Sequence, residues 1–534
     1  MQFNANYYPF PSQRTVVYGR RGMVAASQPL AAQAGLSILQ SGGNAVDAAV
    51  AAAAALPVVE PTSNGLGGDL FAIVYKDGHM HGLNSSGPAP AHLTPEFVHS
   101  QGHKEMPSHG WLPVTVPGIP GGWAALSERF GALSLSDCVE PAAQYAEQGH
   151  AVTPVVSHYW RAAVAAFRKM LQGPEFAPWF DTFAPNGEGP KPGDVWQCPD
   201  MADTLRGIGA TKSRTIYEGE VAQKIAAFAA ATGGVITESD LAAFEPEWVQ
   251  PMSVDYRGYS VWELPPNGQG LVALLALGIL DGIDYTDDSV QWTHQMIEAV
   301  KLAFADGKAW ITDPHEMTIN AQQLLTSSYL EQRRNQIGDR AIVCRPGTID
   351  PGGTVYLAAA DDQGTMVSLI QSNYMGFGSG IVVPGTGMGL QNRAHTFSLD
   401  PNHANYLRPG RRTYHTIIPG FLTKGDQPVG PFGVMGGFMQ PQGHVQVLSR
   451  SLDQHLNPQA ALDAPRFYWE EGCRLQVEQT MPEELVQGLK ARGHDITVAQ
   501  DSGMFGRGQI IWRLPQNVLA GGTESRADGM ISVW

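Results

Sequence analysis

Cysteine is scarce in this sequence. Four occur in 534 residues, Cys138, Cys198, Cys344 and Cys473, far apart and with no CxxC spacing. That argues against a disulfide framework and against a thiolate zinc site. Charge is sparse too, at 16% of residues, and unbalanced: 34 basic against 50 acidic residues leave a net charge of −16. No run of Lys or Arg appears, so the basic patch that nucleic acid requires is missing. No apolar run approaches the roughly 20 residues of a membrane span. The alanine-rich stretch from Ala45 to Val59 is too short for one, carries Asp47 and is broken by Pro57. The first residues, Met1 to Pro9, lack a basic patch followed by an apolar run. A secretory signal is therefore not expected, and the cytoplasm is the expected location unless an N-terminal segment is missing.

Nucleotide signatures are lacking as well. Gly376-Phe377-Gly378-Ser379-Gly380 and Gly385-Thr386-Gly387-Met388-Gly389 do not match a GxGxxG turn with a following helix and a distal acid, and there is no GxxxxGK[ST]. Their glycines read as backbone packed closely around a site. His79 and His81 alternate onto one face of a strand, with no third ligand in view. Neither a metal nor an organic cofactor is expected.

What is present is a long chain, 43% apolar, large enough for a substantial core. Mixed helix and strand patterns run through it. Pro29 to Gln40 reads as an amphipathic helix, with Ser27 near its N-cap and Gly42 ending it. Ala45 to Val59 reads as a buried helix, small on all sides. Leu70 to Tyr75 reads as a strand before an Asp77-Gly78 turn. Val221 to Ala231 and Thr293 to Ala305 read as helices, and Pro174 to Asp200, rich in Pro and Gly, as an irregular surface excursion.

The most informative stretch is Gly352-Gly353-Thr354-Val355-Tyr356-Leu357-Ala358-Ala359-Ala360-Asp361. It places a threonine at the mouth of an apolar strand, which turns at Asp361 to Gly364 and returns as Met366 to Gln371. Were the bond before Thr354 cut, its new α-amine would stand beside its own hydroxyl. Such an amine titrates near 7.7 to 8.0 and is a known base for a hydroxyl nucleophile. The stretch from Ile342 to Gly353 carries two prolines and three glycines, a composition suited to an accessible cleavage loop.

Other motifs give Thr354 a context. In order they are Gly42-Gly43-Asn44-Ala45-Val46-Asp47, Glu60-Pro61-Thr62-Ser63-Asn64-Gly65-Leu66-Gly67-Gly68-Asp69, Val116-Pro117-Gly118-Ile119-Pro120-Gly121-Gly122, Thr237-Glu238-Ser239-Asp240-Leu241, Leu264-Pro265-Pro266-Asn267-Gly268-Gln269-Gly270, Glu298-Ala299-Val300-Lys301-Leu302-Ala303-Phe304-Ala305-Asp306, Gly378-Ser379-Gly380-Ile381-Val382 and Ala464-Pro465-Arg466-Phe467. This ordered set resembles the gamma-glutamyltransferase family, over nearly the whole chain. The resemblance implies a four-layer αββα N-terminal-nucleophile hydrolase, made as one precursor that cuts itself between Gly353 and Thr354. Residues 1–353 would form the large subunit and 354–534 the small one, a heterodimer sharing one core; any higher oligomer is left open.

The resemblance also implies site residues. Asn373 sits near the family's nucleophile-binding asparagine, and Gln371 falls where a second threonine usually contacts the nucleophile. Gly436 and Gly437 match the oxyanion segment, where backbone N–H groups serve whatever the side chains are. The substrate-binding set departs from the family. No arginine occurs between Arg21 and Arg129, where one should hold the substrate α-carboxylate. Thr396 takes the place of the aspartate that holds the α-amine, and His415-Thr416 that of a serine pair. Arg393 is a candidate substitute for the missing arginine. The implied activity is amide hydrolysis or acyl transfer through an acyl-enzyme on Thr354, with gamma-glutamyl amides such as glutathione as the default substrate. One alternative is an acylase for a di-acid monoamide such as a glutaryl amide. Another is an uncleaved, non-enzymatic binding protein on the same fold.

Overall fold

The computed structural model describes residues 14–343 and 353–534. Cys344 and most of the expected cleavage loop lie outside them.

Two seven-stranded antiparallel sheets stack face to face. The first runs, edge to edge, Met530–Val533, Gly22–Ala26, Gly353–Asp361, Met366–Tyr374, Asp69–Lys76, His79–Ser85 and Glu247–Val249. The second runs Val17–Gly19, Leu519–Thr523, Arg507–Arg513, Gln427–Met435, Gly420–Lys424, Tyr259–Glu263 and Met252–Tyr256. Both sheets contain strands from before and after Thr354, hydrogen-bonded to one another, so neither half of the chain owns a sheet.

Strand alternation sorts the apolar residues into three layers. Tyr356, Ala358 and Ala360 pack between the sheets with Phe71, Ile73, Ile370 and Phe421. Val355, Leu357 and Ala359 face outward onto the helices Pro29–Gln40 and Ala45–Val59. On the far side, helices Gly270–Asp281, Ser289–Trp310 and Met439–Leu452 cover the second sheet. The result is four layers, αββα. Small residues make the layers fit. A Cβ on Gly433 of the second sheet would come within 2.5 Å of the Tyr356 ring of the first.

Several local expectations need correcting. The first helix is capped by Gln28, whose Oε1 accepts from Leu30 N and Ala31 N. Ser27 instead donates to Glu60 at 2.5 Å. Pro57 does not break the alanine-rich helix, which runs unbroken from Ala45 to Val59. Its N-terminus is closed by an Asn44–Asp47 capping box. The 174–200 stretch is no surface excursion: it contains the helix Ala177–Phe183, and Trp179 and Phe183 are buried against Trp160 and Phe377. Its aromatic content outweighed its Pro and Gly.

Behind the second sheet lies a buried charge network. Arg466 donates to Glu524 at 2.8 Å and to the carbonyls of Phe505 and Gly506, while Arg526 bonds both Glu524 and Glu478. Burial alone would raise the Glu524 carboxyl, but Arg466 and Arg526 overcome it and hold it down to about 2. Its stabilising effect is therefore full above the ordinary carboxyl range and is lost as pH falls toward 2. Replacing Glu524 by Gln would leave two buried guanidinium groups short of a counter-charge. We expect a loss of about 3–5 kcal/mol in denaturant unfolding at pH 7, shrinking below pH 4. An unchanged midpoint at pH 7 would mean the network carries no such energy.

Candidate functional site

Thr354 is fully buried at the start of its strand and faces the space between the sheets. In the hairpin, Val355 pairs with Gln371, which leaves Ser372 opposite Thr354. The register slips at Gly353, which pairs with Tyr374. A slip of this kind re-aims side chains at a strand end. Thr354 Oγ1 donates to Ser372 Oγ at 3.0 Å, and Gln440 Nε2 approaches Thr354 Oγ1 at 3.4 Å. Ser372 Oγ also accepts from Tyr374 N at 2.7 Å and lies 3.5 Å from Arg393 Nη2.

Gln371 points the other way. Its amide bonds Ala53 O and Asn64 Oδ1, and its Oε1 accepts from Trp123 Nε1, all on the helical side of the sheet. The residue against the Thr354 hydroxyl is Ser372. Hairpin alternation carried this signal, because counting back from the Asp361–Gly364 turn pairs Thr354 with Ser372. Asn373 shares the face of Gln371 and packs on the glycine loop: a Cβ at Gly65 or Gly68 would come within 2.7 Å of its amide.

Gly436 and Gly437 precede the helix Met439–Leu452 with φ of 133° and 58°, in the region that favours glycine. The backbone here is held by Gln269, whose Nε2 donates to Gly437 O at 2.8 Å and to Thr416 O at 2.6 Å. From the first turn of that helix Gln440 spans the site, since its Oε1 accepts from Ile418 N while its Nε2 faces Thr354. Neither Gln269 nor Gln440 was expected as a site residue.

Arg393 stands beside this hydroxyl pair with no solvent exposure. Its Nη1 donates to Thr416 Oγ1 at 2.8 Å, and its guanidinium lies 4.4 Å from the centre of the Tyr374 ring. Among the described residues its Nε has no partner. Burial lowers its pKa to about 10, so it stays charged at neutral pH, and Asp69 supports the charge. Thr396 is occupied with backbone: its hydroxyl bonds Arg393 O, Tyr414 O and Thr413 Oγ1.

Asp69, overlooked in the sequence, is the buried anion of the site. Its Oδ1 accepts from Gly87 N at 3.0 Å and Gln391 Nε2 at 2.9 Å; its Oδ2 lies 3.0 Å from His415 Nε2. Ile417 N donates to His415 Nδ1, so the ring proton sits on Nε2 and points at Asp69. Burial pushes the Asp69 carboxyl up to about 7, against the pull of Arg393 and its donors. Burial, Arg393 and Arg412 hold His415 neutral, well below the usual imidazole range.

Among the described residues, one group has the side chains for a metal: His294, Glu298 and His494. They fit a closed ion-pair network better. Lys301 Nζ already sits on Glu298 Oε1 at 2.7 Å, Ile342 N donates to Glu298 Oε2, and the two imidazoles bond each other at 2.8 Å.

The gamma-glutamyltranspeptidase family profile matches residues 31–534. The chain belongs to this family. It is 38% identical over 527 residues to the glutathione hydrolase-like YwrD proenzyme of Bacillus subtilis, covering 96% of this chain and 98% of that one. It is 36% identical to the oxamate amidohydrolase proenzyme of Klebsiella pneumoniae, covering 95% and 97%. Among solved structures, the cephalosporin acylase of Bacillus halodurans superposes with a TM-score of 0.97 at 57% identity, covering 100% and 99%. The fold is that of an N-terminal-nucleophile hydrolase, and the protein is an amide-bond hydrolase or acyltransferase of this family. The reading as a non-enzymatic binding protein is set aside.

The geometry separates two neighbours on one strand. Ser372→Ala removes the oxygen that accepts from Thr354 Oγ1 and Tyr374 N, and we expect amide turnover to fall about 10- to 100-fold at a cost of about 1 kcal/mol in unfolding. Gln371→Leu strands buried partners on the helical side, and we expect a loss of about 1–3 kcal/mol in unfolding instead. Steady-state rates and denaturation midpoints of the two variants check this; the reverse pattern would contradict it.

Proposed function

We propose that this protein is a self-cleaving N-terminal threonine amidohydrolase, with Thr354 as nucleophile. The observation that carries this reading is the buried Thr354 hydroxyl, held by Ser372 and approached by Gln440, beside the Gly436-Gly437 turn. Cleavage adds water across the Gly353–Thr354 bond. It leaves a carboxylate on Gly353 and an α-amine on Thr354, and produces subunits 1–353 and 354–534. Both pieces contribute strands to each sheet, which supports a heterodimer that stays together.

The catalytic cycle then needs only this chain. The Thr354 amine takes the hydroxyl proton as Oγ1 attacks the substrate amide carbon. Backbone N–H groups at Gly436 and Gly437 stabilise the oxyanion. The amine passes its proton to the departing nitrogen and the C–N bond breaks, leaving an acyl ester on Thr354. Water, deprotonated by the same amine, resolves the ester to acid; an acceptor amine would give transfer instead.

For the acyl group, gamma-glutamyl amides such as glutathione are the first reading, supported by the family. A di-acid monoamide, such as a glutaryl amide, is the second, supported by the neutral Thr396 hydroxyl standing where the resemblance placed an aspartate for the α-amine. Both groups carry a carboxylate, and a buried, charged guanidinium beside the nucleophile suits one. Hydrolysis of glutathione and of a glutaryl amide, measured side by side, discriminates; turnover of the second without the first would remove the glutathione reading.

Intact-mass analysis of wild type should show two fragments meeting at Gly353/Thr354, and Thr354→Ala a single chain. A wild type that stays uncut on prolonged incubation would contradict the reading. In the cleaved protein, kcat/KM should rise with pH through an apparent pKa of about 7.7 to 8.0, as the amine loses its proton.

A further inference from the structure

We propose that Gln440 is a catalytic residue: its side-chain N–H holds Thr354 Oγ1 and stabilises the charge on that oxygen as it attacks and again as it departs. The inference rests on Thr354 being the nucleophile. It goes beyond that reading by naming the group that touches the reacting oxygen, in self-cleavage as well as in turnover.

Gln440, Gln442 and Gln446 are buried along the helix Met439–Leu452, and the last two are occupied with backbone. Gln442 Nε2 donates to Phe438 O and Trp469 O, while its Oε1 accepts from Trp469 N. Gln446 repeats this one turn later, donating to Gln442 O and Phe467 O and accepting from Phe467 N. Together they clamp the helix to the strand Phe467–Glu471. Gln440 divides its amide differently. Its Oε1 is fixed by Ile418 N at 3.0 Å, but its Nε2 meets the Thr354 hydroxyl, at 3.4 Å. Turning the amide over would set an N–H against Ile418 N, so the atom aimed at the nucleophile is the donor. Thr354 sends its own proton to Ser372 Oγ, which leaves Oγ1 free to accept from Gln440. A contact of 3.4 Å is long for a resting hydroxyl, and such bonds tighten as charge develops. Gln440, Thr354 and Ser372 are fully buried, where a donor to a charged oxygen counts for most.

The chemistry calls for a donor at this oxygen repeatedly. In the uncut chain the Thr354 nitrogen belongs to a peptide bond and cannot act as a base. Oγ1 attacks the Gly353 carbonyl carbon, and its proton ends on the Thr354 nitrogen as the C–N bond breaks. An ester then joins Gly353 to Oγ1. Water splits it, giving its OH to the Gly353 carbonyl carbon and a proton to Oγ1. Turnover repeats both steps on a substrate amide, with the freed amine as base. In each round Oγ1 carries negative charge twice, once when it attacks and once when it leaves the ester. The Gln440 N–H bonds the charged oxygen more strongly than the hydroxyl, so it lowers the barriers rather than merely stabilising the resting site.

The test compares full-length wild type with Gln440→Glu and Gln440→Met. Gln440→Glu keeps an oxygen for Ile418 N and changes only the atom that faces Thr354. While protonated, the introduced carboxyl still donates; once ionised, it does not, and burial places that change above the ordinary carboxyl range. Self-cleavage of fresh precursor is followed by intact mass. Turnover of the cut protein is read with glutaryl or gamma-glutamyl p-nitroanilide, whichever the wild type hydrolyses faster. We expect the wild-type to Gln440→Glu ratio of kcat to be within about threefold near pH 5.5 and to widen to about 10- to 100-fold near pH 9, with KM little changed. The self-cleavage rate, which needs no added substrate, should widen in the same way. Gln440→Met, which loses both bonds, should be slow at every pH and unfold at lower denaturant concentration. A ratio that stays flat with pH would overturn the proposal, because it would leave Gln440 only its bond to Ile418. A Gln440→Glu variant faster than wild type near pH 9 would also overturn it. Should Gln440→Glu not fold, Gln440→Met decides: a fall in kcat at constant KM supports the proposal, and an unchanged kcat overturns it. A wild type that stays uncut and inert fails the Thr354 reading, whereas a cut wild type with a flat ratio fails this proposal alone.

Discussion

The site depends on one cross-strand pair. Thr354 and Ser372 face each other because the hairpin holds one register from residues 355–360 against 366–371 through apolar side chains on both faces. A one-residue slip would turn Thr354 outward to the helical layer and bring Gln371 inward. The register is pinned from both sides: Gly22–Ala26 pairs with one strand of the hairpin and Asp69–Lys76 with the other. Ser372 also lies opposite Asp69, so the same register that aligns the hydroxyls delivers the buried carboxylate. The rest of the fold, two sheets clamped between helical layers, holds this hairpin still.

Around that pair the protein concentrates charge where water does not reach. Arg393, Asp69 and His415 are all fully buried. The arrangement stays affordable because the guanidinium and carboxylate charges offset each other and the imidazole remains neutral. Behind the second sheet, the Arg466–Glu524–Arg526 network does related work. It fixes the carbonyls of Phe505 and Gly506, and Gly506 backs Gly436, where an added Cβ would come within 3.1 Å of the Gly506 Cα. Conformation at the Gly436-Gly437 turn is thus tied to a buried ion network.

Much of this was legible beforehand. The Thr354 strand, its turn, the alanine-rich helix and the four-layer arrangement rest on periodicity, turn residues and ordered motifs, and the structure has them. What was misread shares a cause. Gln371 was favoured over Ser372 by motif spacing, which is ambiguous by one residue, whereas strand alternation is not. Gln28 was passed over as a cap because Ser is the commoner N-cap, while Ser27 was claimed by Glu60, 33 positions away. Asp69, Gln269 and Gln440 act through contacts with residues 346, 168 and 86 positions distant, and no local pattern announces such pairings. Arg393 was visible as a candidate because the segment expected to supply an arginine has none.

The central claim is that acyl transfer passes through the Thr354 hydroxyl. Rapid acid quench of the cleaved protein during turnover of an activated amide, followed by peptide mass analysis, tests it most directly. The account predicts that the small fragment gains the mass of the acyl group, located on Thr354, and loses it as product forms. Turnover without any acylated fragment, or with the acyl group on another residue, would contradict it.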